Sequence, residues 1–438
     1  MTDDGLYYGS VNKESMISAL RNQFRNIVKI VSGIKGNARA VLVTEVMWVI
    51  PFNLYTTYAA LYMLALGCSR KQIGLIVSVS LAMGMLFALV SGYITDLLGR
   101  KKTTFIFDMI AWTVPTLLWA FAQNFAWFLI AALVNSIVRI VFTSWSCLLV
   151  EDTPPQMRIY AYSGLYVAGL MAGFFAPLAG LMVGRFSLVP AMRGLYLFAC
   201  ISFTSMFVIR NRMLRETAIG LERMQTVKYM KAPHLFNDFY KTAVLCIRNP
   251  LIFLALLLLI FNNVQLTMRA TFFAILLART LQFPPAQVAL FPAIYSLVML
   301  VAYIFLLPSV GRMKAESSLA VSLGCVIAGH LLLIASPNHS YLFVTLSTVV
   351  GALGAAVMNP VLDSMVANSI PDRERANALS IFYVLLLAVT SPFGYLGGIL
   401  SSVSDRLPFL LALGAALVNA LLLWLRAFYQ GRQRQAVQ

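Results

Sequence analysis

Residues 92–102 form the stretch Gly92-Tyr-Ile-Thr-Asp96-Leu-Leu-Gly99-Arg100-Lys101-Lys102, which joins two long apolar runs through one short basic turn. A glycine at position 92 would let a neighbouring helix approach closely, and Gly99 would allow the sharp turn. Asp96 would face a positive helix N-terminus or a basic partner. The three basic residues after Gly99 would hold the turn in the cytoplasm.

The composition around this stretch is that of an integral membrane protein. Hydrophobic residues fill 60% of the 438 positions and charged residues 11%, and the mean hydropathy is +0.82. A soluble globular chain carries far more charge. Apolar runs of about 20 residues, which suffice to cross a bilayer core, recur along nearly the whole chain. We predict twelve membrane-spanning helices, near residues 39–65, 72–95, 103–122, 125–150, 159–184, 188–209, 250–278, 284–308, 315–336, 340–368, 376–402 and 406–427.

Lysine and arginine predict the orientation. With the N-terminus inside, most of the 33 basic residues fall in cytoplasmic segments and only Arg139 and Arg269 lie within spans. Both termini are therefore predicted to be cytoplasmic, in a multi-pass protein of the plasma membrane. The net charge of +17 is then mostly a topology signal, with contact to anionic lipid as a second consequence. We expect no nucleic-acid partner. The basic residues predicted to lie outside are Arg70, Lys71, Arg185, Arg193, Arg279 and Arg406.

The stretch 92–102 resembles the signature loop of the major facilitator superfamily of transporters, G-x-x-x-D-x-x-G-R-K/R-K/R, which lies between the second and third membrane helices. Every defining position matches. A Gly-Arg-Lys-Lys turn alone is also a common cytoplasmic anchor, which is the alternative interpretation. The resemblance implies an all-α membrane protein of twelve transmembrane helices in two pseudo-symmetric six-helix halves, with a central site between them.

Internal similarity supports two related halves. Five residues in one polar turn recur at the same offsets in a second turn: Arg158, Ala161, Ser163, Tyr166 and Val167 correspond to Arg375, Ala378, Ser380, Tyr383 and Val384. We predict a cytoplasmic N-terminal segment 1–38 with an amphipathic helix, a first half 39–209, a cytoplasmic central loop 210–249, a second half 250–428 and a cytoplasmic tail 429–438. A disordered basic tail is the alternative for the first segment.

Four charges fall within predicted spans, on the first, fourth, seventh and tenth helices: Glu45, Arg139, Arg269 and Asp363. An ionised side chain at the bilayer centre costs about 2.5 kcal/mol or more and normally faces a partner or water. In the resembled fold these four helices line the central cavity. The resemblance therefore implies that Glu45, and Asp363 with it, titrates protons or pairs with a cation, while the arginines hold an acid or tune a carboxylate. Gate or snorkelling positions are the alternative.

Two further groups carry hypotheses. The first is a conformational gate, with solvated helix caps as the alternative: Gly92, Asp96, Gly99, Arg100, Lys101, Lys102, Glu151, Asp152, Arg158 and Arg375. The second is a helix-packing motif of small residues and prolines: Gly173, Ala176, Pro177, Gly180 and Pro392. Its first part resembles the fifth-helix motif of the exchangers, G-x-x-x-G-P-x-x-G-G, but Ala172, Ala176 and Leu181 stand where that motif has glycines. Generic helix packing is the alternative.

We expect secondary active transport of a small, amphipathic solute by alternating access, as proton-coupled antiport with efflux. A proton-coupled symporter importing a nutrient or metabolite is the alternative, and a receptor or enzyme is disfavoured. Three histidines, scattered cysteines and no phosphate loop or nucleophile elbow indicate no enzyme chemistry, metal or cofactor. The expected partners are a small-molecule substrate, protons and membrane lipid, for a chain acting as a monomer.

Overall fold

The chain folds into membrane-spanning helices. A computed structural model describes residues 34–227, 244, 248–306, 315–369 and 375–437. Within them, eleven helices are long and apolar enough to cross a membrane, and the pair Gly36–Thr56 and Ala59–Ala65, bent by 45°, makes a twelfth span. The predicted twelve-helix, all-α class is confirmed. The amphipathic helix predicted before residue 39 falls almost entirely outside the described residues.

The spans are named first to twelfth in chain order. Several are built of two or three consecutive helical segments. The bounds after the bent first span are Arg70–Leu98; Arg100–Asp108, Met109–Thr113 and Val114–Ala120; Phe125–Asn135 and Val138–Val150; Pro155–Gly173 and Ala176–Phe186; Leu188–Met213; Pro250–Ile275 and Leu276–Thr280; Pro285–Val288 and Leu290–Phe305; Ala315–Ile334; Tyr341–Ser369; Arg375–Val403; and Leu407–Val437. A shorter linking helix, Ala218–Val227, follows the sixth span.

Local chemistry explains where spans begin and break. The second span starts in a capping box, in which the Ser69 hydroxyl accepts from the Gln72 amide and the Gln72 side chain accepts from the Ser69 amide. The fifth span breaks at Phe174 and Phe175, and its second segment places Pro177 in the first turn. Proline is tolerated there because the first-turn amides have no partner within the helix.

The sixth span is longer than the sequence indicates. We predicted a polar central loop from residue 210, but the helix continues to Met213, and Arg210 is only 4% exposed. Hydropathy ends a span at the first cluster of charges. Here the charge at 210 is buried against a carboxylate of the first span, so the helix extends beyond that point.

Aromatic side chains of the first, third and sixth spans pack against one another. Trp48 stacks on Phe52 with centroids 4.5 Å apart and meets Trp112 edge-on at 5.1 Å. Tyr55 and Tyr196 lie 4.8 Å apart, and Trp119 lies 5.6 Å from Tyr196. Such ring pairs stabilise packing beyond their buried area. This aromatic cluster packs three spans of the first half against one another.

In the described part of the chain, two helix pairs make most of the contact between the halves. The second span packs against the eleventh, and a Cβ on Gly74 would lie 2.8 Å from the Gly398 Cα. The fifth span packs against the eighth, where Gly173 contacts Ser296 and Gly180 contacts the backbone of Ala286. Glycine is required at these contacts because any side chain would collide with the facing helix.

Candidate functional site

The stretch 92–102 forms a tight turn closed by ion pairs. Gly99 has φ +83°, in the region that favours glycine, and separates the second span from the third. Arg100 is 4% exposed, and its Nη1 lies 2.8 Å from the Asp96 Oδ1. Its Nε donates to both carboxylate oxygens of Glu151 at 3.2 Å. The Arg100 guanidinium therefore joins the ends of the second, third and fourth spans.

A carboxylate that the sequence did not indicate completes this cluster. The Glu216 oxygens accept from the backbone amides of Arg100 and Lys101 at 2.9 and 3.0 Å. These amides open the third span, where a negative charge is favoured by the helix dipole. Thr217 donates its hydroxyl to Glu151. The segment before the linking helix is thus fastened to the signature turn.

The other predicted gate residues do not all take part in the ion pairs of Arg100. Asp152 accepts a hydrogen bond from Asn37 at 3.0 Å, and burial, together with neighbouring Glu151, raises its pKa above the ordinary value. Arg158 donates to the backbone oxygen of Thr153 at 3.1 Å rather than to a carboxylate. Among the described residues no carboxylate lies within 4.0 Å of the ammonium of Lys101 or Lys102.

Gly92 and Arg375 take no part in the Arg100 ion pairs of the described residues. Gly92 does not admit a neighbouring helix of the described chain, because no described atom lies within 4 Å of a Cβ built there. The close approach predicted for that position is wrong. Arg375 begins the eleventh span, and its side chain lies outside the described part of the chain.

The first-span carboxylate has a buried partner. Glu45 Oε2 lies 2.6 Å from Arg210 Nη2, and Arg210 Nε donates to the Thr44 hydroxyl at 2.7 Å. The two charged side chains are 13% and 5% exposed. Asp108 of the third span is 4% exposed and close enough to interact electrostatically with both. The structure therefore gathers two carboxylates and one guanidinium inside the first half.

The two arginines predicted within spans lack such partners. No carboxylate among the described side chains lies within 4.0 Å of Arg139 or Arg269. The side chain of Arg139 passes Gly84 of the second span, whose built Cβ would lie 3.4 Å from its Cγ. Arg269 lies over the rings of Phe273 and Tyr295, 4.7 Å from each centroid.

Asp363 has its backbone in the tenth span, and its side chain lies outside the described residues. The structure brings Glu45 and Arg210 together, but it does not join the four span charges in one cluster. In the described ranges, no group of three or more histidine, cysteine or acidic side chains has metal-ligand geometry.

Small residues of the fifth span lie at the contact between the halves. Gly173 and Gly180 face the eighth span, and Ala176, 1% exposed, is buried between them. Pro177 lies in the turn after the break, and Pro392 lies inside the eleventh span.

The opposite end of the molecule from Arg100 carries an ion pair between the halves. Arg70 Nε and Nη2 donate to the two oxygens of Asp405 at 2.6 and 2.9 Å. Thr280 and Ser401 donate to the same carboxylate at 3.0 and 2.8 Å. Tyr58 adds a hydrogen bond to the Pro285 oxygen at 2.7 Å. These contacts close the Arg70 end of the interface.

Comparison with known families gives a match over most of the chain. The family model described as Major Facilitator Superfamily matches residues 46–329 and, in a second overlapping match, residues 255–437. The uncharacterized MFS-type transporter YqjV of Bacillus subtilis (strain 168) is 29% identical over 147 residues. That match covers 32% of this chain and 36% of the relative, so the chain spans about a third of the relative's length.

Solved structures of transporters share the fold. A POT family transporter in complex with 5-aminolevulinic acid has a TM-score of 0.69 at 13% identity, covering 90% of this chain and 96% of that one. The nucleoside transporter NupG has a TM-score of 0.66 at 15% identity, over 89% and 98%. The human organic anion transporter MFSD10 has a TM-score of 0.61 at 16% identity, over 89% and 100%. At these identities the likeness concerns the fold alone.

Proposed function

Because this chain belongs to the major facilitator superfamily, we propose that it is a secondary active transporter that moves a small solute by alternating access. We propose that transport is coupled to protons and runs as export of the solute in exchange for protons. Import of a nutrient together with protons is the second candidate. It is favoured by Ala172 and Leu181, which replace glycines of the exchanger motif.

The observation that carries proton coupling is the cluster of Glu45, Arg210 and Asp108. Glu45 pairs with the Arg210 guanidinium, and the buried Asp108 lies close enough to interact electrostatically with both, in a region from which water is largely removed. An unbalanced buried charge is costly, so one proton on a carboxylate would bring this cluster to neutrality. Loss of that proton would leave one negative charge, which favours a conformation that hydrates it or brings a cation to it.

The orientation follows from the positions of basic residues in the sequence. With both termini in the cytoplasm of a plasma-membrane protein, the Arg100 end is cytoplasmic and the Arg70 end is external. The ion pair of Arg70 and Asp405 then closes the external side, as in an inward-facing state. In that state the solute site would face the cytoplasm, a step that the cycles of export and import both contain.

The signature turn supports gating in this scheme. Rocking of two halves requires contacts that form in one state and break in the other. At the end opposite to the Arg70 pair, Arg100, Glu151 and Glu216 join span ends of the first half to the segment after the sixth span, so that this half can move as one body. We propose that the transporter acts as a monomer, with membrane lipid around it and no cofactor.

The test is transport in proteoliposomes with an imposed pH gradient, in which lumenal pH is recorded as each compound of a solute panel is added. Proton movement opposite to a compound supports exchange and identifies its substrate class. Movement in the same direction supports the symporter and rejects export. A rate of solute flux that does not depend on the imposed pH gradient rejects proton coupling. The absence of flux for every compound of the panel rejects transport.

A further inference from the structure

Arg269 lines a cavity within the second half that is separate from the Glu45 cluster. The cavity has a volume of about 40 Å³ and lies among the seventh, eighth, ninth and tenth spans. Its polar lining residues are Asn262, Gln265, Arg269, Tyr295, His330 and Asn359.

The charge of Arg269 is not neutralised by the described protein. Its neighbours on two sides are the rings of Phe273 and Tyr295, which attract a cation but carry no charge. A guanidinium remains protonated in proteins, so the cavity is positive.

The remaining polar groups are suited to orienting an anion. Gln265 is 4% exposed. Among the described residues its Oε1 has no hydrogen-bond partner, and its Nε2 makes only a long bond of 3.4 Å to the Phe261 oxygen. Rotation of this amide would present its NH₂ to the cavity. Asn262 donates to Asn359 at 3.2 Å, which leaves further amide donors in the same wall.

The space beside the guanidinium is kept open by glycine. A Cβ built on Gly351 would lie 3.9 Å from Arg269 Nη1, an ordinary van der Waals contact, and no other described atom would lie within 4 Å of it. A side chain at 351 would therefore occupy the cavity without disturbing the helix packing. The opening is sized for a head group rather than for a whole metabolite.

We propose that this cavity binds the anionic head group, a carboxylate or a phosphate, of the transported solute. The planar fork of Arg269 makes two parallel hydrogen bonds to such a group, which is the geometry that carboxylates and phosphates share. The proposal rests on the transport function proposed above, and it names the substrate class.

The test measures binding to the purified full chain in detergent, where neither flux nor a gradient is needed. The probes are acetate, inorganic phosphate, benzoate and phenyl phosphate, with benzyl alcohol and benzylamine as neutral and cationic counterparts. Equilibrium dialysis and thermal stabilisation should show saturable binding of at least one anion and neither counterpart. Arg269→Gln should weaken binding at least roughly tenfold, since it removes a charge-assisted pair of hydrogen bonds.

Two variants keep this result interpretable. Gly351→Ala retains the guanidinium but narrows the cavity, and it should weaken binding of the anion with an unchanged fold. Arg185→Gln removes an exposed arginine that lies over the Phe186 ring, 5.7 Å from its centroid, and should leave binding unchanged. The same weakening in Arg185→Gln, or none in Arg269→Gln and Gly351→Ala, would overturn the assignment.

A second set of binding measurements, in nanodiscs, distinguishes a lipid head group from a soluble anion as the ligand. If stabilisation requires anionic phospholipid and no soluble anion binds, the site holds a lipid head group and the proposal fails. Binding of a soluble anion in neutral-lipid nanodiscs supports it. Anion binding without transport would leave the site in place and reject the transport function, whereas transport of cations or neutral solutes alone would reject the site.

Discussion

Arg70 and Asp405 are 335 positions apart in the chain, yet their side chains form a bidentate ion pair that joins the second span to the loop after the eleventh. Asp405 is 5% exposed and receives two further hydrogen bonds, so this carboxylate is held by four donors. The pair is positioned to stabilise the state in which its end of the interface is closed.

The Asp405→Asn variant should favour the state open at that end. Losing charge-assisted hydrogen bonds at a buried carboxylate costs the closed state about 1–3 kcal/mol. Spin labels at Gln123→Cys and Asn338→Cys, on exposed loops of the two halves at the Arg70 end, would report the change. We expect a larger population at long distance than in the parent, in a background without native cysteines. An unchanged distance distribution would show that this pair does not control the closed state.

The Glu45→Gln variant should abolish the response of transport to a pH gradient. Glutamine keeps the size and a hydrogen bond to Arg210 but cannot exchange a proton. Glu222→Gln, at an exposed carboxylate of the linking helix, is the matched control and should transport as the parent does. Full gradient-driven flux in Glu45→Gln would mean that another group carries the proton.

The Gly99→Ala variant should destabilise the protein, whereas Gly92→Ala should not. At position 99 a Cβ meets Glu216 Oε2 at 2.6 Å and Met224 Sδ at 2.8 Å, with φ +83°. Strain at such a backbone angle alone costs about 1–3 kcal/mol. At position 92 the helix is regular and the added methyl enters open space. Thermal unfolding in detergent should show a lower Tm than the parent's for Gly99→Ala only. Equal Tm values for the two variants would contradict the argument that the turn at Gly99 requires glycine.

The stability of the Asp152→Asn variant, relative to that of the parent, should increase as pH rises. Burial and Glu151 raise the pKa of Asp152, so the folded state holds this proton more firmly than the unfolded state does. The contribution of Asp152 to stability is therefore complete below the ordinary carboxyl pKa of about 4 and is lost as pH rises through the raised value. The Tm difference between variant and parent should grow in the variant's favour from pH 4 upward. A difference that shrinks over that range would reverse the assigned sign.

The fold was largely predictable from the sequence, since apolar runs and basic turns act locally. The spans, their number and the turn at Gly99 all follow from patterns within about 20 residues of each other. The break of the first span after Thr56 was not predicted. A hydrophobic run has the same composition whether its helix is straight or bent, which is why hydropathy does not detect the bend.

The candidate site was only partly predictable, because its partners are distant in sequence. Glu45 was selected as a charge within a span, but its partner Arg210 was assigned to the central loop. Glu216 carried no sequence signal beyond being one acidic residue among many basic ones, and Asp405 lay in a short loop. Only tertiary packing brings Arg70 to Asp405 and Glu216 to the start of the third span.

The aromatic cluster of the first half determines which optical signals the protein can give. Trp48, Trp112 and Trp119 lie within or beside it, while Trp424, the single tryptophan of the second half, is 61% exposed beside Phe428. Intrinsic emission therefore reports chiefly on the first half and would miss a ligand beside Arg269. Tyr295→Trp would place a fluorescent ring over that guanidinium while preserving the cation–π contact, so occupancy of the second half could be followed by light.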